Sequence, residues 1–121
     1  MRDITLDTIT ELHTRILATE GGDSRVVSEG NLLQIVFQAN LTKDPVSRAV
    51  SIFWSLCAYP VFREGNRRTA YRLAETILSE AGLLATLPCG EVRALIQGIE
   101  MFTVEPDDVE QAFRRCIDTR S

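Results

Sequence analysis

Between Pro45 and Ala58 the chain reads PVSRAVSIFWSLCA, and apolar residues reach most of the way round the helix this stretch would form. Val46, Ala49, Val50, Phe53, Trp54 and Cys57 make one stripe at helical spacing, while Ile52, Leu56 and Ala58 carry apolar character to the other side. A surface helix shows one apolar face; a helix that is apolar almost all round has to be enclosed by other elements. The fold must therefore be wrapped around this segment. Asp44 offers an N-cap and Pro45 the first helical position, which predicts a helix over 45–58. Pro60 stops it, because the residue before a proline avoids the helical region and proline has no N–H to donate.

The other periodic stretches supply the wrapping. Leu6, Ile9, Leu12, Ile16 and Leu17 predict a helix over 6–19, capped by Thr5 and stopped by Gly21-Gly22. Residues 21–31, GGDSRVVSEGN, read as a polar loop in which Ser28 can cap the next helix, 29–39, with Glu29 in its first turn. Ala70, Leu73, Ala74, Ile77, Leu78 and Ala81 predict a helix over 66–81 with Gly82 as its C′ residue, and Arg72 can pair with Glu75 on its solvent side. Val92, Leu95, Ile96 and Ile99 predict one over 91–101. A last helix opens at Pro106, with Asp107 and Asp108 in its first turn, Arg114 and Arg115 near its end, and Val109, Ala112, Phe113, Cys116 and Ile117 as its buried stripe. No stretch reads as a strong strand, a linker or a repeat. The expectation is one all-α bundle of about six helices over 1–121, with packing rather than chemistry from the last two.

Composition narrows the function classes. A hydrophobic content of 45% suits a globular domain, and a net charge of −4 excludes a nucleic-acid binder that works through bulk charge. Cys57, Cys89 and Cys116 are odd in number and far apart, which suits a reducing cytoplasm and not a disulfide framework or a zinc site. The start, MRDITLDTITELHTRIL, mixes charge and apolar residues too often for a signal peptide, and no apolar run approaches membrane-spanning length.

The densest polar chemistry lies in YPVFREGNRRTAYR, Tyr59 to Arg72, where an apolar run passes through Glu64-Gly65-Asn66-Arg67-Arg68 into a helix. The first N–H groups of a helix have no intrahelical partner and sit at the positive end of its dipole, so anions bind there. Gly65 permits a tight turn, Asn66 is a good N-cap, and the two arginines add charge. The alternative is an ordinary turn with solvated basic residues. His13, the only histidine, shares the face of Ile9, Ile16 and Leu17, which favours a structural, hydrogen-bonded role.

Phe62, Glu64, Gly65, Asn66 and Arg68 stand at the spacing of the Fic/Doc signature, so the chain resembles the Fic/Doc family, and its small Doc (death-on-curing) branch in particular. The resemblance implies transfer of AMP or a phosphoryl group from ATP with Mg²⁺ to a hydroxyl of a target protein. It also implies, for a toxin, a neutralising antitoxin partner. On it, Glu64 would hold the metal, Gly65 and Asn66 would form the anion hole, Arg68 would clamp the phosphates and Phe62 would anchor the loop in the core. Ser28-Glu29-Gly30 would correspond to an active-site flap. The signature's catalytic His falls at Pro60, and Tyr59, one step out of register, titrates near 10, a poor base at neutral pH. Arg67 stands where the family has Gly or Lys, and the further Arg of AMP-transferring members falls at Tyr71. The expectation is a degenerate Doc-like protein that keeps nucleotide-phosphate binding through Gly65, Asn66, Arg67 and Arg68 while transfer is lost or impaired. The alternatives are an active toxin-type adenylyltransferase or kinase using another base, and a non-catalytic protein-interaction module.

Overall fold

The computed structural model describes residues 2–119. Six helices run α1 Leu6–Glu20, α2 Glu29–Leu41, α3 Pro45–Ala58, α4 Asn66–Glu80, α5 Cys89–Glu100 and α6 Pro106–Arg115. Two three-residue strands complete it, β1 Leu83–Ala85 and β2 Ile117–Thr119, paired antiparallel with Leu84 opposite Asp118. The all-helical expectation holds, with this small ribbon as the exception. Ile117, expected in the stripe of the last helix, lies in β2 because α6 stops at Arg115 and Cys116 takes the C-cap.

Helix α3 is the centre, and nine of its fourteen residues are buried. Asp44 caps its N-terminus by accepting the Ser47 N–H at 3.0 Å, and Pro45 follows as expected from the Asp-Pro pair. Helix α4 packs along it through Ala70, Leu73, Ala74, Ile77 and Leu78; α6 joins through Val109, Ala112 and Phe113, and the Phe53 and Phe113 rings meet at 5.6 Å. Thr5 and Ser28 cap α1 and α2 as the sequence predicts, each accepting a backbone N–H three residues on.

Among the described residues, one charged side chain lies in this core. Arg48 projects from α3 fully buried; its Nε reaches the carbonyls of Ala39 and Thr42 at 3.1 and 3.0 Å, and Nη1 that of Arg2 at 2.8 Å. It thereby gives the Ala39 carbonyl, which also accepts the Thr42 N–H at 3.1 Å, a second donor, satisfies the carbonyl of the C-cap residue Thr42, and ties the segment before α1 to the same point. Asn40 completes the tie with a pair of bonds to the backbone of Ile4, at 2.7 and 2.8 Å.

The turn after α5 is tight and strained. Thr103 N–H bonds to Gly98 carbonyl and Phe102 N–H to Ile99, a Schellman arrangement with Phe102 at the left-handed position, φ 57°. Gly98 is required there, since a Cβ on it would overlap Val104 Cγ2. Phe102 meets Trp54 and Tyr59 at 6.5 and 6.3 Å, and the Trp54 indole donates to Val104 carbonyl at 2.9 Å, so these rings hold the turn against α3.

Replacing Arg48 with alanine removes the side-chain donor to the Thr42 and Arg2 carbonyls and one of the two donors to Ala39, and opens a cavity at a fully buried position, so Arg48→Ala is expected to lower stability by about 3 kcal/mol. The urea unfolding midpoint measures it. Arg48→Lys should recover little of the loss, because one ammonium cannot reproduce the guanidinium fork.

Candidate functional site

The motif loop turns between α3 and α4, and its shape comes from Asn66. The Asn66 side-chain oxygen accepts the N–H groups of Val61 and Phe62, each at 3.0 Å, and its amide nitrogen donates to Phe62 carbonyl at 2.7 Å. The expectation that Asn66 caps α4 is corrected here. Gly65 is the N-cap, with φ 85°, and makes no side-chain cap bond; Asn66 is the first helical residue and spends its amide inside the loop. Gly65 is needed both for that φ and for the space, as a Cβ there would stand 3.1 Å from Leu17 Cδ2 and 3.2 Å from His13 Nε2.

Two segments hold the loop from outside. From α1, buried His13 lies flat on Phe62, ring centroids 3.5 Å apart at 7°, with Nε2 2.7 Å from Glu64 carbonyl. The structural role expected for His13 is thus met, at a place the sequence did not indicate: under the motif. Across the top runs the stretch before α2. Val26 bridges Phe62, Val27 and Ser28 N–H groups share Val61 carbonyl, and Arg63 N–H bonds to Arg25 carbonyl at 2.9 Å. Asp23 fixes this strap by pairing with Arg25 at 2.6 Å and Arg63 at 3.5 Å. Its carboxyl is held at about 2, from an ordinary 3.8, chiefly by the Arg25 hydrogen bonds. Ser28 is both the cap of α2 and the end of the strap, so the capping reading is met by a residue that also lies against the motif loop.

Each expected ligand residue can now be placed. Glu64 is exposed, and its carboxylate accepts the N–H of Asp23. Among the described residues no group of three or more His, Cys, Asp or Glu converges as a metal site. These residues do not by themselves compose a magnesium site, and Glu64 alone could offer a remaining oxygen. Arg67 points away from the loop and forms a two-pronged pair with Glu100 at the end of α5, at 2.6 and 2.7 Å. Arg68 turns toward α1 and meets Glu20 at 3.3 Å. Pro60 presents only its carbonyl, which accepts from Asn31 at 3.1 Å.

Arg67 and Arg68 line a groove of about 350 Å³ between α1, α4 and α5, with Tyr71, Arg72, Ile16 and Val92. Arg67, Tyr71, Val92 and Ile96 also border a second, mostly apolar recess of about 280 Å³ that Leu87 and Cys89 close. Burial raises the titration of Tyr71 and Glu75, the latter working against the neighbouring Arg72. Helical spacing had assigned Val92 and Ile96 to packing alone; that they border an opening depends on where α5, a later element of the chain, docks against α4. Cys57, near Arg67, is buried and its thiol is pushed up to about 12 by desolvation first and Glu100 second, so its surroundings disfavour the thiolate.

No protein-family model matches this chain, and no curated protein matches it. No described helix is long and apolar enough to cross a membrane.

Removal of the Asn66 amide leaves two N–H groups and a carbonyl without partners, so Asn66→Ala is expected to cost about 1–3 kcal/mol in urea unfolding. The Asp23 carboxyl is lower in the folded protein than its ordinary value. Its contribution is therefore whole above pH 3.8 and is lost as pH falls through about 2. Hydrogen-exchange protection of the Val27 and Arg63 amides should drop across that window in the wild type, and should be low and flat with pH in Asp23→Asn.

Proposed function

We propose that this chain is a degenerate Doc-like domain that binds the phosphates of a nucleotide, ATP being the reference ligand, and has lost or weakened group transfer. The observation that carries it is the groove between α1, α4 and α5, where Arg68 and Arg72 stand beside an apolar recess lined by Tyr71, Val92 and Ile96. Guanidinium groups grip phosphate oxygens in pairs, and a flat apolar recess takes a base. Both arginines are exposed and loosely paired, Arg68 with Glu20 at 3.3 Å and Arg72 with Glu75 at 3.6 Å. Surface pairs of that kind are worth about 0–1 kcal/mol, so an incoming phosphate displaces them cheaply.

Transfer is another matter. Pro60 has no proton-accepting side chain, and His13 Nε2 is engaged with Glu64 carbonyl beneath the loop. Loss of a general base lowers rate by about 10² to 10⁴ while binding survives. A protein partner, whether target or antitoxin, would then read the domain's nucleotide-bound state. The alternative of an active transferase would require another base at the loop.

A second reading has its own observation. Asn66, Glu64 and Arg67, three of the expected ligand residues, spend their side chains on the fold. That favours the loop as scaffold and the domain as an interaction module.

Calorimetric titration of ATP, with and without Mg²⁺, separates the two. Saturable binding that Arg68→Ala weakens by about tenfold or more is the expected result; no heat from the wild type would leave the scaffold reading. Pro60→His is expected to gain label transfer from ATP if the rest of the site is intact.

A further inference from the structure

The sequence of α2, EGNLLQIVFQANL, holds a single charged residue, Glu29, in a chain that is 25% charged. Its inner face is ordinary: Leu32, Ile35 and Ala39 are buried against the core. Its outer face is not. Leu33, Phe37 and Leu41 are 56%, 59% and 61% exposed, and a spacing of four residues sets them in one line down the helix. Isolated exposed apolar residues are normal on a monomer, but an unbroken line over two turns marks a surface that is covered in use. The residues beside the line, Gln34, Gln38 and Asn40, carry no charge either. Depletion of charge is the compositional mark of an interface centre.

The line also shows what covers it. It reads Leu, Phe, Leu from either end, with Glu29 one turn before Leu33 and Lys43 just beyond Leu41, both exposed, Lys43 in a loose surface pair with Asp3 at 4.0 Å that a closer carboxylate can displace. A two-fold axis through Phe37 would lay α2 antiparallel on α2 of a second copy. Phe37 would then meet Phe37 of the second copy, and Leu33 would meet its Leu41. Glu29 would approach its Lys43, twice over by symmetry, with the two helix dipoles opposed. A different partner would need only apolar surface to cover this stripe; a second copy supplies acid and base at the correct ends as well. The net charge of −4 sets copies against each other over the rest of the surface, and this face carries almost none of it.

We propose that α2 is the seam of a two-fold homodimer, with Phe37 on the axis. The full chain is tested by sedimentation equilibrium from about 1 to 100 μM, a range that brackets a micromolar dimer. The wild type is expected to dimerise. Phe37→Glu, at a position exposed in the protomer, is expected to remain folded by circular dichroism and to be monomeric throughout. Register is read by charge exchange. Glu29→Lys alone is expected to weaken the dimer by about three- to tenfold, and Glu29→Lys with Lys43→Glu to restore it. A wild type that stays monomeric over the range overturns the proposal and leaves the stripe to a different protein. A Phe37→Glu protein that still dimerises overturns it too, by placing the seam elsewhere. Failure of the double exchange to restore association rejects the antiparallel register.

Discussion

The side-chain amide of Asn66 closes the turn between the two central helices, and the remaining structure depends on that closure. Its three hydrogen bonds hold Val61 and Phe62, which are buried and so cannot look to water for partners. With the turn closed, α4 lies along α3, Phe62 enters the core and Gly65 comes close enough to α1 for His13 and Leu17 to pack on it. An amide is suited to the place because it both accepts and donates; a carboxylate could serve the two N–H groups and would repel the carbonyl. The residue that most resembles a ligand in the sequence is therefore one whose hydrogen-bonding capacity the fold uses.

That sets the two functional readings against each other in a specific way. Selection for anion binding and selection for a stable turn both favour a glycine, an asparagine and following arginines at a helix start. What distinguishes them is where the arginines go. Arg67 is committed to Glu100, and Arg68 and Arg72 stand over an opening with only the exposed Glu20 and the half-buried Glu75, at 3.3 and 3.6 Å, to detain them. The phosphate reading thus rests on Arg68 and the groove more than on the loop.

Much of the fold was legible because its signals are local. Asp44-Pro45 and Pro60 bracket α3 at both ends, and Thr5, Ser28 and Pro106 mark three helix starts by residue type. Helix α5 begins at Cys89, two residues before the start at 91 that its apolar repeat predicted, because Pro88 rather than a polar side chain precedes it. The β1–β2 ribbon escaped notice since three residues are too few to show alternation, and its pairing joins segments 32 to 36 residues apart. The site was legible by residue and not by role. Nothing near Asn66 in sequence says that its amide faces inward, and nothing near Arg67 names Glu100, 33 residues on. The strap was read as a polar loop because its partners lie across the chain.

The separation of those contacts along the chain bears on how the domain assembles. Asn66 reaches only four and five residues back, whereas His13 and Asp23 lie 51 and 41 residues from Glu64. Short loops close at lower entropic cost than long ones, so the α3–α4 turn costs less chain entropy to close than the contacts that α1 and the strap make with it. During synthesis α1 precedes α4, the helix it packs against most, so that surface is missing until residue 66 and those after it have followed. The apolar face of α1, Ile9, Ile16 and Leu17 with His13, therefore waits uncovered while some fifty residues are added, and this is the interval in which a nascent chain is most open to chaperones and to aggregation.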